Sequence, residues 1–287
     1  MALVADRIRP AERRVKGQSG GHEKAGSAAT MHIVAIHSLN EDKEILAKVL
    51  AAAIGATIYE AFARLRAPGS GPITVAIFAE KERAIGLLEK LQTTGFKASV
   101  LTAGEIEMEG RAFIVRRFSL GERDLGLTAE KGDSVSIPFQ EIDLILRGTA
   151  IIRDVTTETV KNRSVSPRRA VLSGGIMITK TTKDVREVIT EERQGFVNLY
   201  ARDGSTLVFR ENTLVYDSLG SALRPSRALN FTYLISELRR RCPDALYDER
   251  LLSRAGQVAL LGPSLNPEEH LIVATALLRK VLGSKIG

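Results

Sequence analysis

Residues 74–101 read TVAIFAEKERAIGLLEKLQTTGFKASVL. Thr74 to Phe78 is a short apolar run with the length and β-branched content of a buried strand. Glu80 to Thr93 then changes period: Ala84, Leu87, Leu88 and Leu91 fall on one stripe of a helix. Gly95 follows where a helix ends on a left-handed residue, and Lys97 to Leu101 returns to strand character. Strand, helix, strand within 28 residues predicts a helix packed on a sheet.

The same reading extends upstream. His32 to Ile36 is a strand. Ser38 with Glu41 has the spacing of a capping box, and Ile45, Leu46, Val49, Leu50 and Ala53 recur at helical intervals. Gly55 breaks that helix. Thr57 and Glu60 repeat the capping signature before a second helix with Ala61, Phe62 and Leu65 inward, and Pro68-Gly69-Ser70-Gly71-Pro72 is a turn. Residues 31–104 therefore form a small α/β unit in the order strand, helix, helix, strand, helix, strand. In this order, and in the stretches ATIYEAFARLR, ITVAIF and KERAIGLLEKLQTTGFKASVLT, the unit resembles the C-terminal domain of the bacterial ribosomal stalk protein and the related Clp adaptor fold. The resemblance implies a binding or scaffolding use. A nucleotide site is not indicated. The 68–72 loop lacks the Lys-Ser/Thr of a phosphate loop and precedes a strand, whereas phosphate-binding amides belong at a helix N-terminus.

Residues 111–250 have a different texture. Phe113 to Phe118, Leu125 to Ala129, Ser134 to Pro138 and Leu144 to Leu146 are strand candidates, with Lys131-Gly132-Asp133 as a hairpin connection. A second set follows at Phe196 to Ala201, Leu207 to Arg210 and Thr213 to Tyr216. A helix with Phe231, Leu234, Ile235 and Leu238 on its buried face closes the set before Pro243. The rhythm of LGLTAEKGDSVSIPFQEIDLILRG, with several strands closed by one amphipathic helix, resembles a pleckstrin-homology-like domain. The fold class is α+β.

Between the two strand sets the polar stretch Asp154 to Arg169 reads as an insertion loop, marked by Ser166-Pro167, and basic side chains continue through residue 187. Lys161, Arg163, Arg168, Arg169, Lys180, Lys183 and Arg186 make this the candidate anion-binding surface, for a phospholipid headgroup or nucleic acid. Asp154, Glu158, Asp184 and Glu187 dilute the charge. Aromatic residues do not interleave with the bases, which argues against single-strand stacking, and no apolar face accompanies them, which argues against membrane insertion.

The C-terminal segment, 251–287, takes in most of a short helix expected at Asp248 to Ala255 and then a turn-rich stretch from Leu260 to Ser264. Asn266-Pro267-Glu268-Glu269 is a helix start, with the N-cap, a proline at N1 and a Glu at N3. The broad apolar surface of the helix that follows includes Leu271, Leu278 and Leu282. It must pack on its own chain or on a partner, either another protein or a second copy.

Composition bounds the rest. The 287 residues carry a net charge of +7, but the first 30 supply nearly half of it, so those residues read as a basic leader and the body gives little reason to infer a polyanion partner. They lack the apolar core of a secretory signal, and no run of about 18 apolar residues occurs to span a membrane. One cysteine excludes an intrachain disulfide, and four scattered histidines offer no metal spacing. Cys242 shares a helical face with Phe231 and reads as a small buried hydrophobe. Ser173 lacks a nucleophile elbow, and the pairs Glu105/Glu107 and Glu141/Asp143 read as shared strand faces or turns. No catalytic residue, metal or cofactor is assigned. The expectation is a cytoplasmic, bacterial-type, non-enzymatic protein that binds or organises other proteins. The alternatives are an anion-binding module built on residues 161–186, and an enzyme of unassigned chemistry.

Overall fold

A computed structural model describes residues 31–37, 43–66, 71–165 and 179–284, with residues 153–165 and 179–190 followed through their backbone. The capping pair Ser38/Glu41, the 1–30 leader, Arg168, Arg169 and Ser173 lie outside the described residues.

The small sheet holds strands β1 (His32–His37), β2 (Ile73–Phe78) and β3 (Lys97–Leu101) in the order β2-β1-β3, both pairings antiparallel. Alternation along β1 separates its two faces. Val34 and Ile36 meet helices α1 (Lys43–Ile54), α2 (Ile58–Leu65) and α3 (Lys81–Thr93) through Leu50, Leu65 and Leu91. Ile33 and Ala35 face the opposite way, into a second core. The Thr57/Glu60 capping box is formed in both directions, and Gly95 takes a left-handed backbone after α3.

The large sheet is mixed, with seven strands in the order β10-β7-β8-β9-β4-β5-β6. These are β4 (Phe113–Leu120), β5 (Asp124–Ala129), β6 (Ser134–Pro138), β7 (Ile142–Val165), β8 (Thr179–Ala201), β9 (Thr206–Arg210) and β10 (Leu246–Leu251). One face packs under α5 (Arg227–Arg241), with Val197, Leu199, Leu207 and Phe209 against Phe231, Leu234 and Leu238. The other face turns Leu144, Leu146, Phe196 and Tyr200 toward the small sheet.

Between the sheets lie α4 (Ala103–Gly110), α6 (Arg254–Leu261) and α7 (Pro267–Gly283). Their Ile106, Leu260, Ala274 and Leu277 share one core with Ile33 and Leu101 on one side and Leu146 and Phe196 on the other. The molecule is thus a stack: α1–α3, small sheet, α4/α6/α7, large sheet, α5. Leu278 is fully buried, and Leu271 and Leu282 are partly buried against the same core. The broad apolar face of α7 is therefore covered by its own chain, and Leu278 has no surface to present to a partner.

Four local expectations are corrected. The stretch from Asp154 is not a loop as far as Val165. It continues β7, paired row by row with β8 as far as Val165 opposite Thr179. Its β-branched content, TTETV, outweighs its polarity, because a two-stranded ribbon does not need an apolar face to pair its backbone. Asp248 to Ala255 is not one helix. Leu246–Leu251 adds a parallel strand beside β7, and Ser253 caps a helix that starts only at Arg254 and runs through Leu261. Thr213 to Tyr216 is a turn rather than a strand: the Thr213 and Leu214 amides both donate to Arg210 O, leaving one bridge between Val215 and Arg117. Glu105 and Glu107 lie on helix α4, where residues two apart point to different sides.

Candidate functional site

Two cavities flank α7. The larger, about 690 Å³, opens where α4, β8 and the C-terminal end of α7 converge. Helix α4 begins with a full capping box, in which Thr102 receives the Glu105 amide proton and Glu105 receives the Thr102 amide proton. This fixes the rotation of α4 and places Glu105 and Glu109 one turn apart, facing α7.

Glu109 is the deepest charge in the cleft, its side chain 2% exposed. It accepts a short hydrogen bond from the Tyr200 hydroxyl. Arg279 Nη1 lies 3.4 Å from its other oxygen. Arg279 also donates to Thr206 Oγ1 at 3.1 Å and to Gly204 O at 2.8 Å, and its guanidinium lies 5.1 Å from the Tyr200 ring centroid. Burial, and then the neighbouring Glu109 carboxylate, push the Tyr200 phenol well above its ordinary range. Lys280 Nζ reaches Glu105 Oε1 and Val100 O, each at 2.6 Å. Partial burial alone would raise Glu105, but the Lys280 and Thr102 hydrogen bonds outweigh it and leave the carboxyl below its usual value. At the outer wall Arg202 pairs with Asp143 at 2.9 Å.

Every carboxylate named here thus has a cationic partner, and every named cation has a carboxylate. The arrangement ties α7 to α4, to β8 and to the turn before β9. Only Glu109 is deeply desolvated; the Lys280–Glu105 and Arg202–Asp143 pairs stay partly exposed, so the network orients α7 more than it adds stability. Among the described residues, these pairings take up every charged side chain that lines the cleft.

The smaller cavity, about 330 Å³, lies beneath the first half of α7, against the face of β8, β9 and β4. Leu146, Asn198, Val208 and Ile114 sit in one cross-strand row. Asn198 is 6% exposed, and its Oδ1 has no hydrogen-bond partner.

The residues singled out from the sequence distribute differently. Lys161, Arg163, Lys180, Lys183 and Arg186 all lie on the long β7–β8 ribbon, where Lys161 is directly opposite Lys183, Ser164 opposite Lys180 and Glu158 opposite Arg186. Cys242 caps α5 and is buried, which raises its thiol to about 11. His270 Nδ1 lies 3.1 Å from Asn266 O, and neither cavity has a histidine in its lining. Among the described residues no group of His, Cys, Asp and Glu could hold a metal ion, and no single helix is long and apolar enough to cross a membrane.

Sequence reading missed Glu109, Asn198, Tyr200 and Arg279. Two signals were present. Thr102-x-x-Glu105 marked an uncounted helix, and Asn198 and Tyr200 stand two apart in an otherwise apolar strand. Comparisons with protein-family models, curated proteins and solved structures found no match to this chain.

Proposed function

We propose that the protein is a non-enzymatic binding protein that holds a macromolecular partner with its projecting β-ribbon. The observation that carries this is the pairing pattern of β7 and β8. From Ala150 opposite Gln194 to Val165 opposite Thr179, sixteen consecutive rows pair with each other and with no third strand among the described residues. At roughly 3.3 Å per residue the ribbon extends about 50 Å. A two-stranded ribbon is marginal by itself, and its outer edges carry backbone donors and acceptors suited to strand addition by a protein partner. The mutual pairing of charges in the larger cleft supports binding over catalysis. The resemblance of residues 31–104 to stalk and adaptor domains points the same way.

The test is excision of the arm. Joining Ile152 to Glu192 through Asn-Gly preserves the last sheet-bound rows and supplies a two-residue hairpin turn. The trimmed protein is expected to melt cooperatively and to lose the partner that in-cell crosslinking attaches to the intact chain. Retention of that partner by the trimmed protein, or no partner crosslinked to the intact ribbon, would overturn the reading.

A second reading, polyanion binding, rests on charge. In the distal rows 161–165 and 179–183 stand Lys161, Arg163, Lys180 and Lys183 with no acid. Like charges directly opposite each other, as at Lys161 and Lys183, weaken a ribbon unless an anion offsets them. Duplex DNA and anionic vesicles are the probes. Binding that falls steeply with salt and disappears with Lys161→Glu and Lys183→Glu would favour this reading over a protein partner.

A further inference from the structure

We infer that the 330 Å³ cavity under α7 binds an amphiphilic carboxylate, with an apolar body in the cavity and its anionic head on Arg210. The inference stands apart from the proposed role of the ribbon.

The decisive feature is an unbalanced charge. Glu109 and Arg210 are the two ionisable side chains of the lining. Glu109 is already engaged: the Tyr200 hydroxyl donates to one oxygen, Arg279 meets the other, and the side chain is 2% exposed. Arg210 is exposed, and its guanidinium has no partner among the described residues. The acids flanking it are turned elsewhere. Glu211 accepts from the Gly195 amide at 3.3 Å, and Glu192 accepts from Asn212 Nδ2 at 2.7 Å. One positive charge therefore stands unmatched at the mouth of the cavity. A guanidinium offers a carboxylate two parallel N–H donors.

A second donor stands beside it. Gln194 is 5% exposed, yet its amide has no hydrogen-bond partner among the described residues. Unlike Asn198 Oδ1, which its surroundings seal off, the Gln194 amide keeps some access, and it lines the cavity. Register places it on the same face as Arg210. Phe196 is directly opposite Arg210, the Glu211 amide donates to Gly195 O, and Gln194 is the diagonal neighbour of Arg210. Such neighbours stand about 7–8 Å apart, a gap that one head group can fill between two long side chains. A buried amide left unpaired is costly, and a carboxylate oxygen would take its N–H. Thr275 does not compete, because its hydroxyl donates to Ile272 O at 2.9 Å.

The walls supply the place for the body. Val208, Ile114 and Phe196 come from the sheet, and Leu271 and Ile272 from α7. Ile114 is 45% exposed and Ile272 37% exposed, aliphatic surface that a ligand's chain would cover. The space matches roughly ten water volumes, room for a medium-length alkyl chain or one aromatic ring. A small inorganic anion would leave these walls wet, and a neutral molecule would leave Arg210 unmatched. Only a ligand with both parts satisfies the site.

The probes are octanoate, octanamide and acetate. Octanamide keeps the shape of octanoate without its charge, and acetate keeps the charge without the chain. Binding to the full chain is measured by isothermal titration at neutral pH. Octanoate is expected to bind about tenfold tighter than octanamide, and acetate far more weakly than either. Arg210→Gln, at an exposed and unpaired position, is expected to leave the melting temperature unchanged and to reduce octanoate to the level of octanamide. Ile272→Trp, at the rim, is expected to block both. Equal affinities for octanoate and octanamide, acetate bound as tightly as octanoate, a preference that survives Arg210→Gln, or no binding of octanoate would each overturn the inference. So would octanoate binding unchanged in Ile272→Trp; if that variant fails to fold, Ile114→Trp on the opposite rim decides the same point.

Discussion

The Tyr200 hydroxyl donates to the Glu109 carboxylate across the boundary between the large sheet and the central helix layer. The two residues are 91 positions apart in the chain. Because Arg279 of α7 joins them, the contact ties the sheet to two helices at once. The same hydroxyl accepts from Asn198, so it links the ion-paired cleft to the smaller cavity.

Removing that hydroxyl strands two buried groups. Tyr200→Phe leaves Asn198 Nδ2 without its acceptor and Glu109 without its neutral donor. The expected loss in unfolding free energy, from urea titration, is about 1–3 kcal/mol. Tyr59→Phe, at an 82% exposed position, serves as the control and is expected to change little. A Tyr200→Phe protein as stable as the parent would show that the contact does not hold the layers.

Alkaline titration reads the same burial. Burial and the Glu109 charge raise Tyr200, and burial with the Glu211 charge raises Tyr216. A phenol whose folded value is raised contributes stability that is complete below its ordinary value of 10 and is lost as pH climbs from there through the raised value, because the unfolded chain ionises first. Of the five tyrosines, these two are expected to ionise only when the chain unfolds, seen as a late step in phenolate absorbance coincident with loss of circular dichroism. Five tyrosines ionising in one early step would contradict the burial.

Glu105 sets part of the acid limit. Its folded carboxyl lies below the ordinary 4.5, so its contribution is complete above that value and is lost as pH falls through the lowered one. The side chain is 38% exposed, and solvent screening limits the effect to under about 1 kcal/mol. Glu105→Gln is expected to destabilise at neutral pH and to shallow the fall in stability below pH 4.5, as followed by thermal melts across pH. An unchanged acid slope would remove Lys280 from this role.

Gly148 allows the sheet to meet the central layer. A Cβ there would lie 2.3 Å from Phe196 Cζ and 2.7 Å from Leu251 Cβ. Gly148→Ala is therefore expected to cost about 1–3 kcal/mol through overpacking, and Gly148→Ala combined with Phe196→Leu is expected to regain part of it. Additive losses in the double variant would point to backbone strain instead of collision.

Cys242 offers a probe of opening. Its buried thiol, raised to about 11, holds little thiolate at neutral pH. Modification by a disulfide reagent is expected to be slow in the native state and to accelerate in step with denaturant-induced unfolding. Rapid labelling without denaturant would show that the end of α5 opens locally.

Local structure was legible wherever one residue type carried one meaning. Thr57 with Glu60, Gly95, Asn266 before Pro267, and the stripe through Ala84 and Leu91 each announced a cap, a stop or a buried face, and each stands as read. Leu246–Leu251 was not legible. LYDERL becomes a strand because β7 offers its edge, a circumstance about 100 residues away. The ribbon was missed because polarity was read as loop, although β-branched residues pair without a core.

What the sequence determined by itself is the set of elements with strong period: the small three-stranded unit, the helix over Phe231 to Leu238 and the amphipathic C-terminal helix. Their apolar spacing requires a buried face whatever lies opposite. Tertiary structure decided what covers those faces. It placed α7 between two sheets and brought Glu109, Asn198, Tyr200 and Arg279 together from three distant segments. The reason is physical. A period records that a face is buried, and only packing chooses its partner, so polar groups that meet across layers leave no mark in any one stretch of chain.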